Sequence, residues 1–163
     1  MSCVRRKTEK AIHGKVMANA NSENPYVGRK FQELVQSILE KEFSTSFEQE
    51  AVVAIGKPPK GHKFDLANKD RSIVAECKCY TWTDSGNVPS AKLMGLDEAV
   101  FYFGFLPAGT KKILCMKKAI FQGKTETLAE YYVRVHGHLL GDVFVYEISD
   151  DGTMKEIRNG LAE

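Results

Sequence analysis

The sequence predicts an α/β fold in which a central mixed β-sheet is flanked by helices. An amphipathic helical pattern opens the ordered region at residue 25, and three strand-like segments follow it in close succession. Helical and strand-like segments then alternate toward the end of the chain, which is typical of parallel crossovers. The expected order of elements is α-β-β-β-α-β-α-β. A chain of 163 residues is long enough for one domain with a sizeable core.

Residues 1–24 are predicted to form a flexible basic arm, and residues 25–163 are predicted to form a single domain. The first part of the arm is rich in lysine and arginine, and the rest is small and polar. Such a segment has too little apolar surface to fold by itself. The formal net charge of the whole chain is +2, which is too small to indicate nucleic-acid binding without a clustered distribution.

The first helix is predicted to start at Pro25, with Asn24 as its cap, and to end near Phe43. Glu33 lies at the edge of its apolar stripe, where it could reach toward a site on the sheet. A solvated surface position is the alternative for this side chain. Residues 46–55 begin with alternation and end as a continuous apolar run, which predicts a strand that enters the sheet interior.

Two short strand-like segments around the polar turn 68–71 predict a β-hairpin. Side chains alternate along a strand, so Glu76 and Lys78 share one face while Cys77 points to the other. In simple register, Asp65 comes across the hairpin close to Glu76. Two carboxylates and one ammonium would then lie at the end of an apolar strand pair, where buried charges need a specific reason. An ordinary solvated pair on the sheet surface is the alternative.

Lysines surround this hairpin. Lys57 and Lys60 belong to the loop 56–61, which its glycines and prolines exclude from a helix or a central strand, and Lys63 directly precedes the strand residue Asp65. Lys92 stands in the first turn of the next predicted helix. If these lysines fall on one side of the molecule, they form a surface that can follow DNA phosphates; solvated loop positions are the alternative.

The second helix is predicted from Ser90, as its cap, to about Leu106, with nearly continuous apolar residues in its later turns. A buried strand is predicted at 111–118. A strand, a helix and a second strand over this distance imply a right-handed parallel crossover.

The third helix is predicted at 128–140, where Thr127 and Glu130 form a capping box. A core strand follows at 143–148, and a short edge strand is expected at 154–158.

The cysteine pattern and the apolar pattern indicate a cytoplasmic protein without membrane association. The four cysteines contain no Cys-x-x-Cys pair, which argues against a zinc ribbon or a disulfide framework. The amino terminus has no apolar signal region. The longest apolar stretch, 99–106, is too short to span a bilayer.

The order of elements and their acidic residues resemble the PD-(D/E)XK nuclease superfamily, whose members have a restriction-endonuclease-like core. The matching motif is Lys63-Phe64-Asp65, ten intervening residues, then Glu76-Cys77-Lys78. The acid that the family commonly carries on its first helix falls on Glu33. The layout of residues 26–118 is especially similar to that of the archaeal Holliday junction resolvases and small restriction-type endonucleases.

The resemblance implies a metal-dependent endonuclease that hydrolyses DNA. Asp65 and Glu76, with the backbone carbonyl of Cys77, would ligate Mg²⁺, for which Mn²⁺ could substitute. Lys78 would position or activate the attacking water, and Glu33 would hold a second ion or orient a ligand through water. A catalytically inactive nucleic-acid-binding module on the same fold is the alternative.

A homodimer is also expected, because the aromatic-rich helix 93–106 has more apolar surface than one sheet face covers.

Overall fold

A computed structural model describes residues 25–161 of the chain, so the predicted arm at 1–24 lies outside the described residues. The helices and strands follow in the order α1 (Pro25–Phe43), β1 (Phe47–Ile55), β2 (Lys60–Asn68), β3 (Ile73–Lys78), α2 (Ser90–Phe103), β4 (Lys111–Lys117), α3 (Leu128–His136), β5 (Val143–Ile148) and β6 (Met154–Arg158). None of the helices within this range is long and apolar enough to cross a membrane.

Within residues 25–161, six strands form one mixed sheet in which each strand pairs with its neighbour in the sequence. The pairs β1–β2, β2–β3 and β5–β6 are antiparallel, whereas β3–β4 and β4–β5 are parallel. The helices α2 and α3 span the two parallel connections, because a parallel crossover needs a longer segment than a hairpin does. The predicted α/β fold with a central mixed sheet flanked by helices is therefore confirmed.

The helices cover both faces of the sheet. The helix α1 packs Phe31, Val35 and Leu39 against one face, whereas α2 and α3 pack Leu96, Phe103, Leu128 and Tyr132 against the other. The central strand β4 is buried on both faces, as expected of a parallel strand between two layers. The buried centre of the sheet thus lies beside β3, the strand that carries Glu76 and Lys78.

The ends of α2 differ from the prediction. Ser90 is the first helical residue, Pro89 holds the cap position, and no side-chain hydrogen bond among the described residues caps this end. The predicted serine cap is therefore wrong. The helix also ends at Phe103 rather than Leu106, because the amides of Phe105 and Leu106 bond to carbonyls only three residues earlier, and Pro107 follows.

The start of α3 agrees with the prediction, and its end is shorter. Thr127 Oγ1 accepts from the Glu130 amide at 3.2 Å, and Glu130 Oε2 accepts from the Thr127 amide at 2.9 Å. The capping box is therefore confirmed. The α-helix ends at His136, one 3₁₀ turn follows over Gly137–Leu139, and Gly141 with φ 53° turns the chain toward β5.

Candidate active site

A pocket of about 280 Å³ lies between the β1–β2–β3 strands and α2. Asp65, Glu76 and Lys78 line it together, and Glu98 and Tyr102 of α2 form its opposite wall. The structure therefore brings three of the four residues predicted for catalysis into one pocket.

The β2–β3 register explains this convergence. Leu66 pairs with Ala75, and Ala67 pairs with Val74, so the next position places Asp65 opposite Glu76. The expected register is confirmed. The backbone pairing of β2 with β3 ends at Leu66 and Ala75. Beyond it, the Cys77 amide donates to the Asp65 side chain, at Oδ2 and 2.7 Å, instead of to a backbone carbonyl. This bond fixes the Asp65 carboxylate at the end of the hairpin.

The alternation of side chains along β2 is interrupted between Phe64 and Leu66, on either side of Asp65. Phe64 packs with α2 and α3, whereas Leu66, two residues later, packs under α1. Strict alternation would place both on the same face. The neighbouring β1 pairs place Glu50 opposite Asp65, and Glu50 has φ 52°, which is uncommon for a residue other than glycine. The irregular backbone of the hairpin thus lies beside the candidate carboxylates.

Glu76 and Lys78 form a largely buried ion pair. Lys78 Nζ donates to Glu76 Oε2 at 2.8 Å, and Glu76 is only 8% exposed. Burial and the negative charge of Asp65 raise the pKa of Glu76 to about 7, although Lys78 acts in the opposite direction. The Lys78 ammonium therefore does not fully neutralise the Asp65 and Glu76 carboxylates, an arrangement that favours a further cation.

Lys78 remains a cation at neutral pH. Burial alone would lower its pKa, but the charge and hydrogen bond of Glu76, together with Asp65, outweigh burial and raise the pKa of Lys78 above its usual value. Its chemistry in the pocket is therefore that of a hydrogen-bond donor and a positive charge, rather than that of a base.

Glu33 lies outside this pocket. Its side chain is 46% exposed, approaches Lys30 Nζ at 3.6 Å, and lines a neighbouring groove that shares only Glu50 with the pocket. The residue of α1 that reaches the site strand is Gln32, whose Nε2 donates to the Asp65 carbonyl at 2.8 Å. Adjacent helical residues point about 100° apart, so the rotation of α1 on the sheet decides which of the two side chains reaches Asp65.

The predicted DNA-contacting lysines occupy different positions. Lys63 lines the pocket and pairs with Glu50 at 2.9 Å. Lys57 and Lys60 are exposed at the other end of the β1–β2 hairpin. Lys92 is outside the pocket. Burial raises the pKa of the Cys79 thiol, and the positive charge of Lys92 acts in the opposite direction, so Lys92 lies near the residue that follows Lys78.

Sequence reasoning missed Glu50, Glu98 and the pair of rings formed by His62 and Tyr102. The rings of His62 and Tyr102 stack with centroids 3.9 Å apart and close one side of the pocket. Glu98 could have been recognised, because it is one of only a few charged residues in the otherwise apolar sequence of α2. Glu50 could not, because a surface strand position carries no signal of its unusual backbone conformation.

The donor set fits Mg²⁺ better than a soft metal. Within residues 25–161, no group of three or more histidine, cysteine, aspartate or glutamate side chains is placed to hold a metal ion. Mg²⁺ commonly uses only one or two carboxylates and keeps several waters, so Asp65 and Glu76 form a sufficient protein donor pair. Burial raises the pKa of the Cys77 thiol well above its usual value, which leaves only the backbone carbonyl of that residue as a donor.

Comparisons of the chain with protein-family models, with curated proteins and with solved structures find no match. The function is therefore argued from the geometry of this pocket.

Proposed function

We propose that the protein is a Mg²⁺-dependent nuclease that hydrolyses DNA phosphodiester bonds on a restriction-endonuclease-like core. One observation carries the proposal. Asp65 and Glu76 adjoin the Leu66–Ala75 pair on adjacent strands and line one pocket open to solvent, where the Lys78 ammonium is 2.8 Å from the Glu76 carboxylate. Two carboxylates can hold a metal ion that activates water and neutralises a phosphate, and an ammonium beside them can stabilise the charge that develops there.

The carboxylates of Asp65 and Glu76, with the Cys77 carbonyl, would hold the metal. Mg²⁺ bound there would supply positive charge to the scissile phosphate and a more acidic bound water. The hydrogen bond from the Cys77 amide orients the Asp65 carboxylate before any ligand arrives. The hydrogen bond from Lys78 does the same for the Glu76 carboxylate, and such preorganisation lowers the barrier to reaction.

Lys78 would hold the nucleophile in place. Its ammonium can donate to an attacking water and to a nonbridging phosphate oxygen, because three donor hydrogens are present and only one bond to Glu76 is observed. The new P–O bond forms as the bond to the leaving sugar oxygen breaks; the attacking water releases a proton to solvent, and the leaving sugar oxygen takes one from solvent. Glu33 would contribute only through intervening water, because it lies outside the pocket.

The substrate would follow the lysines of the β1–β2 hairpin. Lys63 lies at the pocket, and Lys57 and Lys60 extend from it along the exposed hairpin. Lys92 would act from the first turn of α2. Contacts between lysines and phosphates release counterions, so we expect DNA affinity to fall steeply as salt concentration rises.

The test is cleavage of supercoiled plasmid DNA with Mg²⁺ and with Mn²⁺, in comparison with EDTA. We expect the wild-type protein to nick the plasmid and the variants Asp65→Asn and Glu76→Gln to lose at least about a hundredfold in rate, since each removes a charged metal ligand. Glu48→Gln is the matched control, because Glu48 is an exposed acid of the same hairpin that pairs with Arg71. Equal rates for all four proteins would exclude the proposal. DNA binding without cleavage by the wild-type protein would instead indicate an inactive nucleic-acid-binding module.

A further inference from the structure

The surface of α2 beside the pocket carries a chain of aromatic rings. His62 stacks on Tyr102 at 3.9 Å, Tyr102 contacts Phe101 at 5.7 Å, and Phe101 contacts Phe105 at 5.0 Å between ring centroids. We refer to these four residues as the ring cluster. It begins at the pocket wall and runs outward across the surface.

The outer rings of this cluster are unusually exposed. Phe101 is 62% exposed and Phe105 is 46% exposed, although both side chains are large and apolar. Contiguous exposed aromatic residues commonly mark a binding surface. The Phe101–Tyr102 and Phe101–Phe105 contacts are edge-to-face, with interplanar angles of 71°, so an edge-on ring keeps both of its faces uncovered by its partner.

The lysines of the hairpin that carries His62 favour a nucleic-acid strand as the occupant of the ring cluster. His62 belongs to the same strand as Lys60 and Lys63, and Lys57 lies in the loop that precedes this strand. Tyr102 of α2 therefore contacts, through His62, the same hairpin that carries the lysines. Proteins that bind single strands combine such a basic track for phosphates with aromatic faces for bases.

A second copy of this chain fits the ring cluster less well. Met94, Glu98, Phe101 and Phe105 follow one another at helical spacing on the exposed side of α2 and the turn after it. Packing two such stripes together would enclose the Glu98 carboxylate of each copy in the interface. Burial of a charge without a partner opposes association.

We infer that the ring cluster stacks unpaired bases of the DNA substrate, so the enzyme prefers DNA with a single-stranded segment next to the scissile phosphate. This inference rests on the proposed nuclease function and names the substrate class of the same site. In a continuous duplex, the base faces are already stacked on one another, so only unpaired nucleotides can offer a face to Phe101 or Phe105.

The experiment measures binding by fluorescence anisotropy, with Ca²⁺ in place of Mg²⁺. The probes are a blunt DNA duplex and the same duplex extended by a single-stranded tail. The test variant combines Phe101→Leu with Phe105→Leu, which removes both rings and keeps apolar side chains. Met94→Ala is the control, because Met94 is 70% exposed on the same helix and is outside the ring cluster.

We expect the wild-type protein and the Met94 variant to bind the tailed duplex more tightly than the blunt one. The double leucine variant should lose about fivefold or more in affinity for the tailed duplex and keep its affinity for the blunt duplex. Equal binding of both probes by the wild-type protein would overturn the inference, as would unchanged binding by the leucine variant. A wild-type dimer in sedimentation that Phe101→Ala dissociates would assign the surface to self-association instead.

Plasmid cleavage separates failure of this inference from failure of the proposed function. Mg²⁺-dependent cleavage by the wild-type protein without any preference for the tailed duplex would reject only the role of the ring cluster. Cleavage that is equally fast in the wild-type protein and in Glu76→Gln would reject the nuclease assignment itself.

Discussion

Replacing Glu76 by glutamine should stabilise the metal-free protein at alkaline pH, and this effect follows from the environment of the carboxylate. Burial and Asp65 raise the pKa of Glu76 from 4.5 to about 7 in the folded protein. Between these values the folded state binds more protons than the unfolded state, so the free energy of unfolding falls as the pH rises through this window. Glutamine is neutral at every pH and avoids this loss.

The magnitude follows from the size of the pKa change. Each pKa unit corresponds to about 1.4 kcal/mol, so the ionised Glu76 destabilises the fold by about 3 kcal/mol at pH 8 and by less than about 1 kcal/mol at pH 5. Protonated Glu76 and glutamine are both neutral beside Lys78, so the stability of Glu76→Gln should match that of the wild-type protein with Glu76 protonated. For a domain of this size, the gain at pH 8 corresponds to roughly 6–12 °C in Tm.

The assay is urea or thermal unfolding of the wild-type protein and of Glu76→Gln in EDTA between pH 5 and pH 8. Glu48→Gln is the control, because its carboxylate is exposed. Addition of Mg²⁺ should raise the Tm of the wild-type protein at pH 8 more than at pH 5, and it should have little effect on Glu76→Gln. Parallel stability curves for Glu76→Gln and the wild-type protein across this pH range would refute the reasoning.

Three further predictions concern Lys78, Glu33 and Thr127. Lys78→Met should lower the rate of plasmid cleavage by about a hundredfold or more, because it removes a positive charge next to the scissile phosphate; a rate within threefold of wild type, on the order of experimental scatter, would contradict the role of the ammonium. Glu33→Gln should retain cleavage within about tenfold, since the groove that Glu33 lines shares only Glu50 with the pocket. A loss as large as that of Glu76→Gln would place Glu33 among the metal ligands. Thr127→Ala should lower the free energy of unfolding by about 1 kcal/mol without changing cleavage, because it removes the capping box of α3; an unchanged urea midpoint would argue against that cap.

The sheet and the central part of the site follow from local sequence signals. The turn at 68–71 and the strand-like segments on both sides of it predict the β2–β3 hairpin, and its Leu66–Ala75 pair places Asp65 next to Glu76. A register error of one residue would have moved these side chains to opposite faces of the sheet, so the buried apolar pattern determines the site as well as the core.

The rest of the site depends on tertiary geometry that a linear pattern does not contain. Helical periodicity placed Glu33 near the edge of the apolar stripe of α1, but the phase of the helix on the sheet brings Gln32 to Asp65 instead. Glu50 adopts φ 52° beside Asp65, and no glycine marks that position. The aromatic surface of α2 was expected as apolar excess, and only the structure connects it to His62 and to the pocket.

The most direct test of the central claim is anomalous diffraction from crystals soaked in Mn²⁺. We expect a peak between Asp65 and Glu76, at roughly 2.0–2.3 Å from an oxygen of each carboxylate, as is usual for a small hard cation. The Glu76→Gln variant should lose that peak. A pocket without anomalous density at saturating Mn²⁺, or a peak bound away from both carboxylates, would contradict the claim that these residues form a metal-dependent nuclease site.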